Sequence, residues 1–153
     1  WEKCFKKNKD KDTQTASGDS SKLAASGNSS QLAASGDSSQ LAASGNSSQL
    51  AASGYSSQLA ASGYSSKLAA SGNSSQLAAS GYSSKLEING QDSVGANIGI
   101  EGTIKGKIGN WITLAEYDSN YKPTCVKSAQ IDGKKIKKDV WYKLEKGKFV
   151  EKK

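Results

Sequence analysis

The sequence predicts an all-β chain: a β-solenoid with two nine-residue repeats in each 18-residue coil, capped by a C-terminal β meander. Three observations carry this reading. Ala16 to Glu87 is eight consecutive nonapeptides, from ASGDSSKLA to ASGYSSKLE, without insertion or deletion. Glycine stands at residues 18, 27, 36, 45, 54, 63, 72 and 81, and a leucine follows five residues after each. Within each S-S-Q-L-A-A stretch, strand alternation places Ser30, Leu32 and Ala34 on one face and Ser29, Gln31 and Ala33 on the other. A fixed nonapeptide period is the mark of stacked β architecture. A helix would meet Gly, Ser and Asn or Asp together every two or three turns, at about 1 kcal/mol for each Gly. A flexible Ser/Gly/Ala linker has no need to keep leucine in phase.

Taken in chain order, residues 1–15 form an N-terminal cap or leader, mostly charged or polar, with Trp1 and Phe5 the only large apolar groups. Residues 16–87 form the nonapeptide solenoid. Nine residues cannot close a coil around side chains, so two repeats make one layer and the block makes four layers, a rod of about 20 Å at ~4.8 Å per layer. The S-G-[D/N/Y] stretch makes each turn, where glycine is expected to supply positive φ. Residues 88–109 continue the solenoid in degenerate form. Here Val94, Ile98, Ile100, Ile104 and Ile108 replace the leucine beat at even spacing, with Val94 one residue early and a bulge or bend expected to absorb the slip. Residues 110–153 form the C-terminal β cap, with Asp132-Gly133 the stronger hairpin turn and Lys146-Gly147 the weaker. Such a thin core needs caps over its open ends.

Composition narrows the chemistry. The chain has 153 residues, 21 Lys, no Arg, no His, no Met, 14 acidic residues and a formal charge of +7. Without histidine there is no Ser-His or Cys-His constellation, and the commonest metal ligand is missing. Cys4 and Cys125 flank the repeats and form no C-x-x-C pair, so they read as two unlinked thiols with no metal site. The tail carboxylates Glu116 and Asp118 read as ordinary surface charge, and no enzymatic role is expected. Calcium-binding nonapeptide rolls place an Asp in every repeat beside three glycines; here Ser replaces that Asp and only Asp19 and Asp37 offer carboxylates. No metal or cofactor is expected. From residue 110 onward the chain carries 11 Lys against 6 acids, clustered at Lys134, Lys135, Lys137 and Lys138. Interleaved acids and the lack of arginine argue against a nucleic-acid reader. No apolar run approaches the roughly 20 residues of a membrane span.

The position after each glycine varies most: Asp19, Asn28, Asp37, Asn46, Tyr55, Tyr64, Asn73, Tyr82. Two repeats per coil put Asp19, Asp37, Tyr55 and Asn73 on one edge and Asn28, Asn46, Tyr64 and Tyr82 on the other. Tyr55, Tyr64 and Tyr82 are the candidate binding residues, for a glycan or a surface protein. The plainer reading is a turn position that accepts any residue able to turn or to stack on its neighbour.

The nonapeptide block, the G-x-D-S-V segment, KGKIGNWITLAEYD and the closing AQIDGKKIKKDVWYKLEKGKFVE together resemble a family of uncharacterised β-solenoid proteins in Gram-positive bacteria and their phages. The resemblance implies architecture and brings no activity. GQDSVGANIG also resembles head repeats of trimeric autotransporter adhesins, which implies a homotrimer where the solenoid alone implies a monomer. The resulting expectation is a rigid spacer or surface-display segment of a bacterial envelope or phage protein, extracellular or phage-associated. The alternative is an adhesion module binding through the turn edges.

Overall fold

The computed structural model describes residues 13–152, an all-β solenoid of fifteen strands. The strands are β1 Thr13–Ala16, β2 Lys22–Ala25, β3 Gln31–Ala34, β4 Gln40–Ala43, β5 Gln49–Ala52, β6 Gln58–Ala61, β7 Lys67–Ala70, β8 Gln76–Ala79, β9 Lys85–Ile88, β10 Val94–Asn97, β11 Thr103–Gly106, β12 Trp111–Tyr117, β13 Pro123–Gln130, β14 Tyr142–Glu145 and β15 Lys148–Glu151. Trp1, Cys4 and Phe5 of the expected leader lie outside the described residues.

Odd and even strands build two facing sheets. One runs β1-β3-β5-β7-β9-β11 and the other β2-β4-β6-β8-β10-β12, each strand parallel to the next coil's equivalent. The register step is eighteen residues, as in Leu32↔Leu50 and Leu41↔Leu59. Six coils result, the first beginning at Thr13. Alternation runs as the sequence predicts: Ser30, Leu32 and Ala34 are buried, while Ser29, Gln31 and Ala33 are exposed. Leucine and alanine from both sheets interlock in one continuous core.

The turns obey a different rule from the expected one. The repeat glycines keep negative φ. The left-handed residue is the serine two positions on, at φ 53–58° in Ser20, Ser29, Ser38, Ser47, Ser56, Ser65, Ser74 and Ser83. Asp92 and Glu101 hold the same conformation on the same beat. Glycine is required for closeness instead. A Cβ on Gly63 would fall well inside contact distance of the Gly45 carbonyl one coil below, and the overlap recurs at Gly36, Gly45, Gly54, Gly72, Gly81 and Gly90. From Ser30 to Ser75 a buried serine then closes the turn, its hydroxyl donating to the glycine carbonyl three residues back, as Ser48 Oγ does to Gly45 O at 2.7 Å.

The degenerate segment also differs from expectation. Val94, Ile98 and Ile108 point outward, and Ile104 alone of the five apolar residues is fully buried in the core. No slip occurs at Val94, because Gly95 occupies the leucine place opposite Leu77. The volume that Gly95 leaves is taken by neighbours: a Cβ there would sit 2.5 Å from Ile88 Cδ1 and 2.6 Å from Ile104 Cδ1. Ile88 in turn stands where earlier coils carry alanine, so a larger and a smaller residue exchange places across the core. The register does change one coil later, where Val94 pairs with Trp111, seventeen residues on, after a turn through Gly109 at φ 94°. Buried Asn110 absorbs that shortening. Its Oδ1 accepts from Ser93 N at 3.0 Å, as Ser93 Oγ accepts from Ser75 N one coil earlier, and its Nδ2 also donates to Gly90 O at 2.9 Å.

β12 is therefore still a solenoid strand, and the chain turns antiparallel only after it. β13 folds back on β12 and extends the even sheet. The β14–β15 hairpin extends the odd sheet through β11. Ile131, Ile136, Tyr142 and Leu144 join the core cluster and close the C-terminal end of the rod. The two hairpin turns exchange the importance read from sequence. Lys146 (φ 50°) and Gly147 (φ 66°) form the two-residue connection of β14 to β15, with both central residues left-handed as that turn demands. Asp132-Gly133 joins no adjacent strands. The Asp132 carboxylate instead accepts from Lys134, Lys135 and Ile136 N–H groups at 2.9–3.0 Å, closing a loop that seats Ile136 in the core.

Candidate functional site

The turn edges carry the predicted site residues. At aspartate or asparagine positions the side chain bonds to the next coil: Asp37 Oδ1 accepts from Tyr55 N at 2.7 Å, Asn46 Oδ1 from Tyr64 N at 3.1 Å, and Asn73 Oδ1 from Gln91 N at 2.8 Å. These short acceptors cap a backbone N–H that a turn would otherwise leave to water. Tyrosine cannot do this and stacks instead. The Tyr64 and Tyr82 rings lie 5.0 Å apart and 2° from parallel, on the edge and at the neighbouring coils that an 18-residue repeat requires. Tyr55 stands on the opposite edge, where its hydroxyl accepts from Ser74 Oγ at 3.2 Å. Tyr55 and Tyr64 are 54% and 53% exposed, and Tyr82 is half-buried. The structure thus brings Tyr64 and Tyr82 together and leaves Tyr55 apart. The Glu101 carboxylate beside Tyr82, aided by partial desolvation, raises that phenol above its ordinary value.

Several polar groups outside the turn edges are engaged in the architecture. Glu116 accepts from Lys146 N at 2.7 Å and Gly147 N at 2.8 Å, fixing the β14–β15 turn, and Asp118 Oδ1 accepts from Asn120 N and Lys122 N in the β12–β13 turn. Lys137 pairs with Glu151 at 2.9 Å, and Lys107 with Asp139 at 2.8 Å. Trp141 lies under two cations, Lys105 Nζ at 5.0 Å and Lys85 Nζ at 5.9 Å from the ring centroid. Lys105 also reaches Glu87 at 3.0 Å. Burial opposes ionisation of Glu87, but the Asn89 amide and Lys105 outweigh it and hold the carboxyl below its usual value. Among the described residues no three acidic or cysteine side chains group as metal ligands, and no helix is long and apolar enough to cross a membrane. Cys125 is half-buried on β13; Cys4 lies outside the described residues.

A second region was not read from the sequence. The outer face of the even sheet carries Val94, Ile98, Trp111 and Val126, all exposed, beyond a row formed by Ala24, Ala42, Ala60 and Ala78. Counting the nine-residue beat through Gly95 would have found it, because that count turns Val94 outward.

No protein-family model, curated protein or solved structure matches the chain.

Proposed function

We propose that the chain is a non-enzymatic structural module, a rigid β-solenoid serving as a spacer or surface-display segment of a bacterial envelope or phage protein. The family resemblance of the repeat block and tail supports the setting. One observation carries the role: the variable polar side chains at the turns bind the next coil rather than facing a common site, as Asp37 does with Tyr55 N at 2.7 Å. A scaffold that uses its turn chemistry on itself resists bending along its axis. Backbone NMR relaxation tests this: order parameters near 0.85 should run evenly from Lys22 to Tyr117, turns included. Turn values below about 0.6 would count against a spacer.

The exposed Tyr64–Tyr82 pair favours the second reading, an adhesion module that grips a glycan or protein partner. The two readings separate on Tyr64→Ser combined with Tyr82→Ser. A spacer keeps its role and its circular dichroism spectrum. An adhesin keeps the spectrum but loses capture on a glycan array.

A further inference from the structure

We propose that the outer face of the even sheet is the contact between two copies of this chain, packed face to face about a twofold axis. The face is set apart by charge. The outward residues of β2, β4, β6, β8, β10 and β12 are Lys22, Ala24, Gln40, Ala42, Gln58, Ala60, Gln76, Ala78, Val94, Ala96, Trp111 and Thr113, and only Lys22 is charged. The same places on the odd sheet carry Lys67, Lys85, Glu87 and Lys105. A chain with a net charge of +7 has therefore kept one of its two broad faces almost free of charge. Two such rods meeting on that face keep Lys67, Lys85 and Lys105 on their far sides, where the repulsion between copies is screened at ordinary ionic strength. Meeting on the odd face would press like charges together. That difference selects both the face and the partner.

Large apolar groups mark the C-terminal half of the same face. Trp111 is 50% exposed and Val94 47%, paired at one end of the strands, while Ile98 and Val126 are exposed about four residues along, toward the other end. Ile98 borders a shallow groove of about 690 Å³ whose floor includes Ala24, Ala42, Ala60, Ala78 and Ala96, and Val94 borders a second groove of similar size along the glutamine row. Rows of alanine flanked by ridges of glutamine and serine let the ridges of one copy settle over the alanines of the other. Seven strands at ~4.8 Å spacing and four residues at ~3.3 Å rise make a face of roughly 34 Å by 13 Å, so a dimer would bury about 900 Å² in total, the size of a weak, transient contact. A contact of that size makes a weak dimer, and an isologous contact closes without growing into a fibre.

Sedimentation equilibrium of the full chain, up to roughly 100 μM, tests the proposal over the range where weak association shows. A monomer–dimer equilibrium is expected. Ala60→Glu puts a carboxylate at the centre of the face on an outward position. It should weaken association at least about tenfold while leaving the circular dichroism spectrum unchanged. Ala51→Glu, at the matching outward position of the odd sheet, should leave association as it was. Val94→Lys provides a second disruption should Ala60→Glu fail to fold. The proposal falls if the chain stays monomeric throughout, if it forms trimers, or if Ala51→Glu weakens association as much as Ala60→Glu.

Discussion

At the scale of single residues, the repeat is conserved along the chain by contacts between coils. Leucine and alanine were legible because strand alternation sorts them directly into inward and outward sets. Glycine was legible only as a turn residue, because its true constraint comes from a backbone eighteen residues away. The consequence is sharp: Gly63→Ala should destabilise by about 2–3 kcal/mol, since the new Cβ meets the Gly45 carbonyl. Gly18→Ala, where the nearest atom is Ser21 Oγ at 3.7 Å, should cost well under about 1 kcal/mol in urea unfolding. A similar contrast holds for the buried serines. Ser57 Oγ donates to Gly54 O at 2.9 Å, while Ser84 Oγ is buried without a partner. Ser57→Ala should therefore lose about 1 kcal/mol, and Ser84→Ala should be neutral or slightly stabilising by the same titration.

Elements show where the sequence was harder to read. The β10 strand of the even sheet hides in VGAN, whose inward residues are Gly95 and Asn97 and whose valine points out. A two-residue apolar alternation taken from Val94 therefore inverts the face of β10. Asn97 is satisfied on its donor side, bonding to Ser84 O at 2.8 Å and Thr103 O at 3.0 Å, but its Oδ1 has no partner. Nothing in the local pattern announces such a buried amide. In the cap, Asp132 is held by N–H groups, first Ile136 and then Lys134 and Lys135, and its pKa lies below the ordinary carboxylate value. A depressed folded pKa gives stability that is present above the unfolded value near 3.9 and is lost as pH falls through the folded one. The loop that seats Ile136 should thus loosen on acidification below about pH 4. Asp132→Asn should flatten that response, read from the Ile136 methyl shift in an NMR pH titration.

The whole molecule is a stack whose layers share one core, so stability is collective. Leu50 and Leu59 face each other from β5 and β6 within one coil, each buried to 2% exposure. Leu50→Ser with Leu59→Ser replaces both by groups that cannot be satisfied there. At about 2–5 kcal/mol for each lost leucine, the pair should unfold the block and abolish its far-ultraviolet β signal. The two-sheet, two-repeats-per-coil plan was legible because the period is perfect. The odd and even sheets were not distinguishable in outline, since their difference resides in a few lysines and in the residues after Leu86. The most direct measurement of the central claim is small-angle X-ray scattering on a chain in which residues 43–60 are duplicated. One whole coil added to a stack should lengthen the particle by about 4.8 Å with its cross-section unchanged. An unchanged length, or a radius of gyration near the roughly 44 Å of an unfolded chain of that size, would contradict the solenoid.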